Sequence, residues 1–313
     1  MMTRSETARY LQERDNFAIV THRRPDGDTI GSAAVLCRGL RQLGKTAHVL
    51  ENPEITEKYA HLLQGISKPA AEENDTVVSV DVASANMLGT TFAHLQERIA
   101  LRIDHHGTAT PFTPEELVDP KAASCGEIVY DVLRQMGATL DAPMAEVLYT
   151  AVSTDTGCFR YANTTANTLR VAADCKEAGA DTFALNQILF ETNSLARLRL
   201  QGWLVENALF LQGGKIAVCA LPLSVERELG VTEDDMENIS GFPRSIAGVK
   251  IAATVRQETA QTVKLSVRAV PGCDAAAICA KFGGGGHKGA AGASMKMTME
   301  EAVAAVIAAM PVI

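Results

Sequence analysis

Four short β-branched runs, FAIVTH (17–22), TAHVL (46–50), TVVSVDV (76–82) and IALRIDHH (99–106), alternate with helical patterns early in the chain, and no other feature restricts its fold as much. Such alternation is the signature of βαβ units, in which each return to a parallel strand passes through a crossover helix. The stretch GSAAVLCRGLRQLG (31–44), closed by Gly44 as helices often are, fits one crossover. We therefore expect an α/β fold whose N-terminal domain has a mostly parallel sheet flanked by helices. Four more helical patterns follow: CGEIVYDVLRQMG, APMAEVLYTAVSTDTG, NTTANTLRVAADCKEAG and DTFALNQILFETN.

From Ser194 the helical stretch SLARLRLQGWLVENALFL leads to a new series. It comprises strand KIAVCALPL, helix SVERELGVTEDDMENI, strands VKIAATVRQET and QTVKLSVRAV, a Gly-rich loop and helix MTMEEAVAAVIAAM. The two strands around Glu258 to Gln261 read as a hairpin, so a smaller α+β C-terminal domain with a mixed sheet is predicted. The expected division is 1–194, a connecting helix at 195–211, and 212–313, with no Pro/Ser-rich linker to mark it.

A chain of 313 residues, 47% hydrophobic and 21% charged, has room for about two domains. Its N-terminus lacks the apolar core of a signal peptide, and no stretch approaches the roughly 20 apolar residues of a membrane span, so a soluble cytoplasmic protein is expected. Seven scattered cysteines without a CxxC pair suggest neither a disulfide framework nor structural zinc. The net charge of -8 argues against a protein that coats long nucleic acid, because that binding is dominated by Lys and Arg on phosphates. Short substrates with few phosphates escape the objection.

Ligand-type residues gather where the predicted strands end, which is where an open α/β sheet places its site. His22, Asp26 and Asp28 follow the first strand in THRRPDGDTIGS. Alone, PDGD reads as a turn with helix-capping aspartates. Asp81 closes TVVSVDV, where a carboxylate is often only a cap. Asp104, His105 and His106 end the fourth strand, and two adjacent histidines beside an aspartate are harder to explain structurally. Asp155, in STDTG at a helix end, opposes the helix dipole and so lacks a stabilising role. Five Asp and three His at four successive element ends make coincidence the weaker reading. Mixed carboxylate and imidazole ligands suit Mn²⁺, with Mg²⁺ or Co²⁺ as alternatives, and a pair of such ions implies hydrolysis of a phosphate ester or anhydride.

In the second half, KFGGGGHKGAAG (281–292) places six of the chain's 24 glycines in twelve residues. Consecutive glycine N–H groups can nest around a phosphate, with His287 and Lys288 as donors, whereas a flexible tether would not carry His and Lys inside the run. No GK[ST] follows, so this is not a Walker loop. Ser266 and Arg268 alternate along VKLSVRAV and face one side of a strand, where Arg268 suits a phosphate.

HRRPDGD followed by GS, Asp81, the Asp104-His105-His106 triplet and Asp155 in DTG resemble, in order and spacing, the four motifs of DHH phosphoesterases, a RecJ-like superfamily. GGGGHKGAAG with the preceding SVR resembles the signature of the DHH-associated C-terminal domain. The resemblance implies one metal on His22, Asp26 and a bridging Asp81, and a second on Asp28, Asp81, His105 and Asp155. It makes His106 the contact to the substrate phosphate or leaving oxygen and Asp104 a partner orienting the imidazoles, which with Asp81 form the catalytic set. Ser266, Arg268, Gly284, Gly285, Gly286 and His287 would bind the rest of the substrate, with both domains facing one cleft. The compact size and DTGCFRYANTT look like the NrnA group, which joins oligoribonuclease to phosphoadenosine phosphate phosphatase activity; there Arg160, and Thr164 or Thr165, would position the nucleotide. RecJ-like exonucleases carry an added nucleic-acid-binding domain for which there is no room, and family II pyrophosphatases lack GGGH. The implied partners are short single-stranded RNA and phosphoadenosine phosphate, without membrane association. Cyclic-di-AMP or pApA hydrolysis is the rival of the same class, and a catalytically idle nucleotide-sensing module the rival from another; the oligomeric state stays open, a homodimer included.

Overall fold

The computed structural model describes residues 1–236 and 238–313, which form two compact units, Met1–Thr192 and Asn193–Ile313. In the first, strands β1 (Phe17–Val20), β2 (Ala47–Leu50), β3 (Ser67–Lys68), β4 (Thr76–Val80), β5 (Ile99–Asp104) and β6 (Glu115–Val118) make one sheet in the order β3-β2-β1-β4-β5-β6. Every neighbouring pair is parallel. The strand order reverses between β1 and β4, and in such sheets that reversal opens a crevice at the carboxyl ends.

All four residues of β1 are buried, as the unbroken apolar run foretold, because both faces of the sheet are covered. Ile19, Val49, Val78, Val80, Leu101 and Ile103 pack with the helices Gly27–Gln42, Cys125–Gln135 and Ala142–Asp155. Val20, Leu50, Val77 and Val82 pack on the other face with Leu88, Phe92 and Leu95. That second face also carries charge: Arg102 of β5, 1% exposed, lies in register with Glu116 of β6 and pairs with it at 3.0 Å.

The second unit holds a mixed sheet in the order β11-β12-β10-β9-β8-β7. Its strands are β7 (Leu209–Leu211), β8 (Ile216–Leu221), β9 (Ile251–Thr259), β10 (Thr262–Ala269), β11 (Gly285–Gly286) and β12 (Ala290–Met295). Strands β8 and β9 pair in parallel and β9 and β10 form the expected antiparallel hairpin. The helix Leu195–Glu206 is counted with this unit, and its Leu200 and Leu204 are buried with Cys219 and Leu221 of β8.

Several local expectations need correction. The stretch SVERELGVTEDDMENI is not one helix: Gly230 adopts φ +66 and ends the helix Leu223–Leu229, and a separate turn spans Glu233–Met236. Glu237 of that stretch lies outside the described residues. DTFALNQILFETN changes from α-helix at Thr182–Asn186 to π-helix at Gln187–Glu191. The helical run SLARLRLQGWLVENALFL gives way to strand β7 at Leu209. The glycine-rich loop is partly regular, since Gly285 and Gly286 pair with Gly292 and Ala291 of β12, a strand absent from the sequence reading. Edge strands β3 and β6 were also missed; they are short, and EELV is too acidic to read as a strand.

All seven cysteines are free thiols, and among the described residues no helix is long and apolar enough to cross a membrane. Close helix packing under the sheet leaves Gly31 no room for a side chain. A Cβ on Gly31 would lie 2.5 Å from the Val147 carbonyl oxygen and 2.8 Å from Ala151 Cβ. Gly31→Ala should therefore destabilise the protein by about 1–3 kcal/mol despite alanine's better helix propensity, measurable as a lowered urea midpoint; an unchanged midpoint would show that the two helices are not in such contact.

Candidate metal centre

Residues from the carboxyl ends of β1, β4 and β5 and from two helices converge where the strand order reverses. Behind β1, Asn52 Nδ2 donates to the His22 carbonyl at 3.0 Å. His22 Nδ1 donates to the Arg23 carbonyl at 2.7 Å, which leaves Nε2 facing Asp26 Oδ1 at 3.8 Å and Asp81 Oδ2 at 3.6 Å. Asp26 also caps the helix Gly27–Gln42, accepting from the Asp28 and Thr29 N–H groups. The capping and ligand readings of PDGD are thus not exclusive for Asp26. Asp28 is different: 2% exposed in the first turn, it accepts from the N–H groups of Cys125 (2.7 Å) and Gly126 (3.1 Å) and from Ser32 Oγ (3.0 Å).

Asp81 lies between these groups. Its backbone is left-handed (φ +59), a conformation that is uncommon outside glycine but tolerated by Asp, and its N–H donates to the Ile103 carbonyl at 2.9 Å. Oδ2 faces His22, whereas Oδ1 lies 3.5 Å from His105 Nε2 and 3.6 Å from His106 Nδ1. His105 Nε2 is also 3.6 Å from Asp28 Oδ2 and 3.6 Å from Asp155 Oδ2, while its Nδ1 faces the Ala122 carbonyl at 3.3 Å. His106 Nδ1 is held by buried Asp104 at 2.8 Å.

Asp155 is the last residue of the helix Ala142–Asp155, and beyond it Gly157, Cys158 and Phe159 all have positive φ (+56, +57 and +62). Thr156 Oγ1 steadies this left-handed turn by accepting from the Phe159 N–H at 3.1 Å. Asn163 Nδ2 then ties the Asp155 carbonyl to that of Ala123, both at 3.1 Å. Exposed Arg160 folds back onto the Gly157 carbonyl at 2.6 Å. Asn163, Ser32 and the Cys125 and Gly126 amides escaped the sequence reading. Ser32 could have been found, four residues after Asp28 on one helical face; the others are set by tertiary contact alone.

Charge crowding displaces the titrations. Burial raises the Asp155 carboxyl to about 7, His105 pulling down and Asp81 and Asp26 pushing up. Asp28 is raised well above the ordinary range by burial and then by Asp81. Burial would depress His105, but the carboxylates of Asp81, Asp28 and Asp155 outweigh it and raise the imidazole to about 11. Asp81 is lowered instead, since the nearby imidazoles of His105 and His22 favour its charged form more than burial opposes it.

These nitrogen–oxygen separations of 3.5 to 3.8 Å exceed hydrogen-bond length, and the buried Asp81 Oδ1 has no hydrogen-bond partner. Oxygen and nitrogen atoms facing one another at such spacing, from carboxylates and from imidazoles, fit divalent cations. Three groups have the geometry: His22, Asp26 and Asp81; Asp28, His105 and Asp155; and Asp81, His105 and His106.

In the second unit, Ser266 pairs in register with Gly292, which pairs with Gly285, and Arg268 pairs with Ala290. This brings Ser266, Arg268, Gly284, Gly285, Gly286 and His287 to one end of the sheet. A Cβ on Gly284 would lie 2.2 Å from the Gly292 carbonyl oxygen, so the edge strand packs only because that side chain is missing. His287 N–H donates to the Ala290 carbonyl at 2.8 Å and closes a tight turn.

Residues 16–152 match the model of the DHH family N-terminal domain, and residues 213–311 that of the DHHA1 domain. A Thermus thermophilus protein named bifunctional oligoribonuclease and PAP phosphatase NrnA is 34% identical over 89% of this chain and 83% of its own. Its namesake from Bacillus subtilis is 26% identical over 93% of both chains. Among solved structures, an exopolyphosphatase-related protein from Bacteroides fragilis superposes with a TM-score of 0.87 at 25% identity, covering 98% of this chain and 95% of its own.

The raised titrations fix a sign. Near neutral pH, His105 and part of the Asp155 population carry protons that a cation must displace, so Mn²⁺ binding should release protons and tighten as pH rises from about 6 to 8. Calorimetric titration in two buffers of different ionisation enthalpy measures the release; pH-independent binding without it would contradict the arrangement.

Proposed function

The chain belongs to the DHH family of phosphoesterases, and from that membership we propose that it hydrolyses short RNA oligonucleotides to mononucleotides and 3′-phosphoadenosine 5′-phosphate to AMP and phosphate. The activities in the names of the Thermus and Bacillus relatives support this reading, as does an acidic chain suited to substrates with few phosphates. The observation that carries it is Asp81, whose two oxygens face separate ligand groups.

His22, Asp26 and Asp81 would hold one divalent cation, and Asp28, Asp81, His105 and Asp155 a second, with Mn²⁺ the best match to the donors. When bound, the ions polarise the attacking water and offset the charge gathering on the phosphoryl oxygens. The chain's own groups set the geometry. Hydrogen bonds at Nδ1 turn the Nε2 atoms of His22 and His105 toward the carboxylates. Helix N-terminal amides hold Asp28. Asp104 grips His106 Nδ1, leaving Nε2 for the substrate. Burial opposes protonation of His106, yet Asp104 and Asp81 raise it, so it can donate a proton or hydrogen bond to the leaving oxygen.

We assign recognition of the nucleotide and its other phosphate to Ser266, Arg268, Gly284, Gly285, Gly286 and His287 of the second unit, and keep Arg160 of the first as a substrate-binding candidate. Residues 1–194 thus carry the chemistry and 212–313 the binding, with 195–211 between them. Free cysteines agree with work in a reducing cytoplasm.

Incubation of the purified protein and Mn²⁺ with two- to five-nucleotide RNAs, phosphoadenosine phosphate, cyclic-di-AMP and pyrophosphate, followed by product analysis, should show turnover of the first two; preference for either of the others would replace the proposal. Asp81→Ala should lose more activity than the roughly 100-fold typical of residues that only orient a ligand, and near-wild-type turnover would remove the mechanism. Arg268→Ala should raise KM more than it lowers kcat, as loss of a binding contact does; the reverse split would move Arg268 into the chemical step.

A further inference from the structure

Arg102 is the largest side chain among the fully buried residues, and nothing in the metal ligand set requires it. Its Nη1 donates to the Ala83 carbonyl at 2.9 Å, the Thr110 carbonyl at 3.0 Å and, more weakly, the Val82 carbonyl at 3.4 Å. Nη2 pairs with Glu116 at 3.0 Å. Glu116 Oε1 in turn accepts from the Phe112 N–H at 3.0 Å, and the guanidinium lies 5.0 Å from the Phe112 ring centre. Val82 and Ala83 are the residues just after Asp81, and Thr110 and Phe112 belong to the loop that leaves His106. The Thr110 N–H donates to the Ala83 carbonyl at 2.9 Å, closing the two segments on each other.

We propose that Arg102 is a positioning residue for the phosphoester hydrolysis described above: locked by Glu116, it fastens the chain beyond Asp81 to the chain beyond His106 and so keeps both side chains aimed at the metal centre. Two considerations separate this from simple core filling. The Arg102–Glu116 pair itself adds little stability over apolar residues of similar volume, so what distinguishes this guanidinium is its hold on the backbone carbonyls of the two site-bearing segments. And the residue before the clamped carbonyls, Asp81, has a left-handed backbone that persists only when its surroundings hold it there.

The inference rests on the proposed function only for its kinetic arm. Wild type, Arg102→Lys and the double variant Arg102→Met/Glu116→Leu would be compared for thermal unfolding, for Mn²⁺ affinity from the electron spin resonance of free Mn²⁺, and for kcat and KM on a short RNA. The double variant should stay folded but unfold below the wild-type temperature, because the Thr110 carbonyl and the Phe112 N–H lose their partners, while losing about 10–100-fold in Mn²⁺ affinity and kcat, with KM little changed; Arg102→Lys should fall between. A folded variant with wild-type affinity and kcat overturns the proposal. If the double variant does not fold, Arg102→Lys decides: lowered stability with unaltered Mn²⁺ affinity makes Arg102 structural only. Should wild type hydrolyse neither substrate, the functional reading fails while the Mn²⁺ isotherms still judge the clamp.

Discussion

Carboxylates repel one another, and a buried cluster of them stands only if something of opposite sign is built around it. Asp26, Asp28, Asp81 and Asp155 crowd the carboxyl edge of the parallel sheet, and the architecture of the first unit answers that crowding. The strand-order reversal opens the space, two imidazoles supply protons or lone pairs, and the N-terminus of the helix Cys125–Gln135 turns its amides onto Asp28. Raised titrations at Asp28 and Asp155 beside a lowered one at Asp81 show the compensation to be uneven. Asp81 keeps its charge because the imidazoles of His105 and His22 favour it more than burial opposes it.

Part of the strained backbone follows the same geography. Of the seven described non-glycine residues with positive φ, Arg24, Asp81, Cys158 and Phe159 belong to segments bearing a member of the cluster or directly following one, whereas Asn16, Gln212 and Asn238 lie elsewhere. A regular strand or helix sends its side chains along fixed directions. Bringing five chain segments to one point needs turns that regular elements do not provide.

Much of this was legible in the sequence because the central strands are apolar on both faces and end abruptly in polar residues. FAIVTH, TVVSVDV and IALRIDHH announce both the sheet and the polar edge where the candidate metal ligands gather. What escaped reading was of two kinds. Edge strands such as Glu115–Val118 and Gly285–Gly286 owe their state to a neighbour's hydrogen bonds rather than to their own residues. Contacts such as Asn163 with the Ala123 carbonyl join residues forty apart, and no spacing rule reports them. The break at Gly230 could have been read, since glycine is the residue that ends helices, but the flanking charged pattern masked it.

Asp28 draws its partners from covalently fixed backbone amides, which neither titrate nor dissociate. This sets the protein apart from small zinc domains, whose thiolates have no such support and which come apart when stripped. Here the scaffold that would hold a divalent cation stands on its own hydrogen bonds, so exchange of one cation for another would be a matter of entry and exit rather than of refolding.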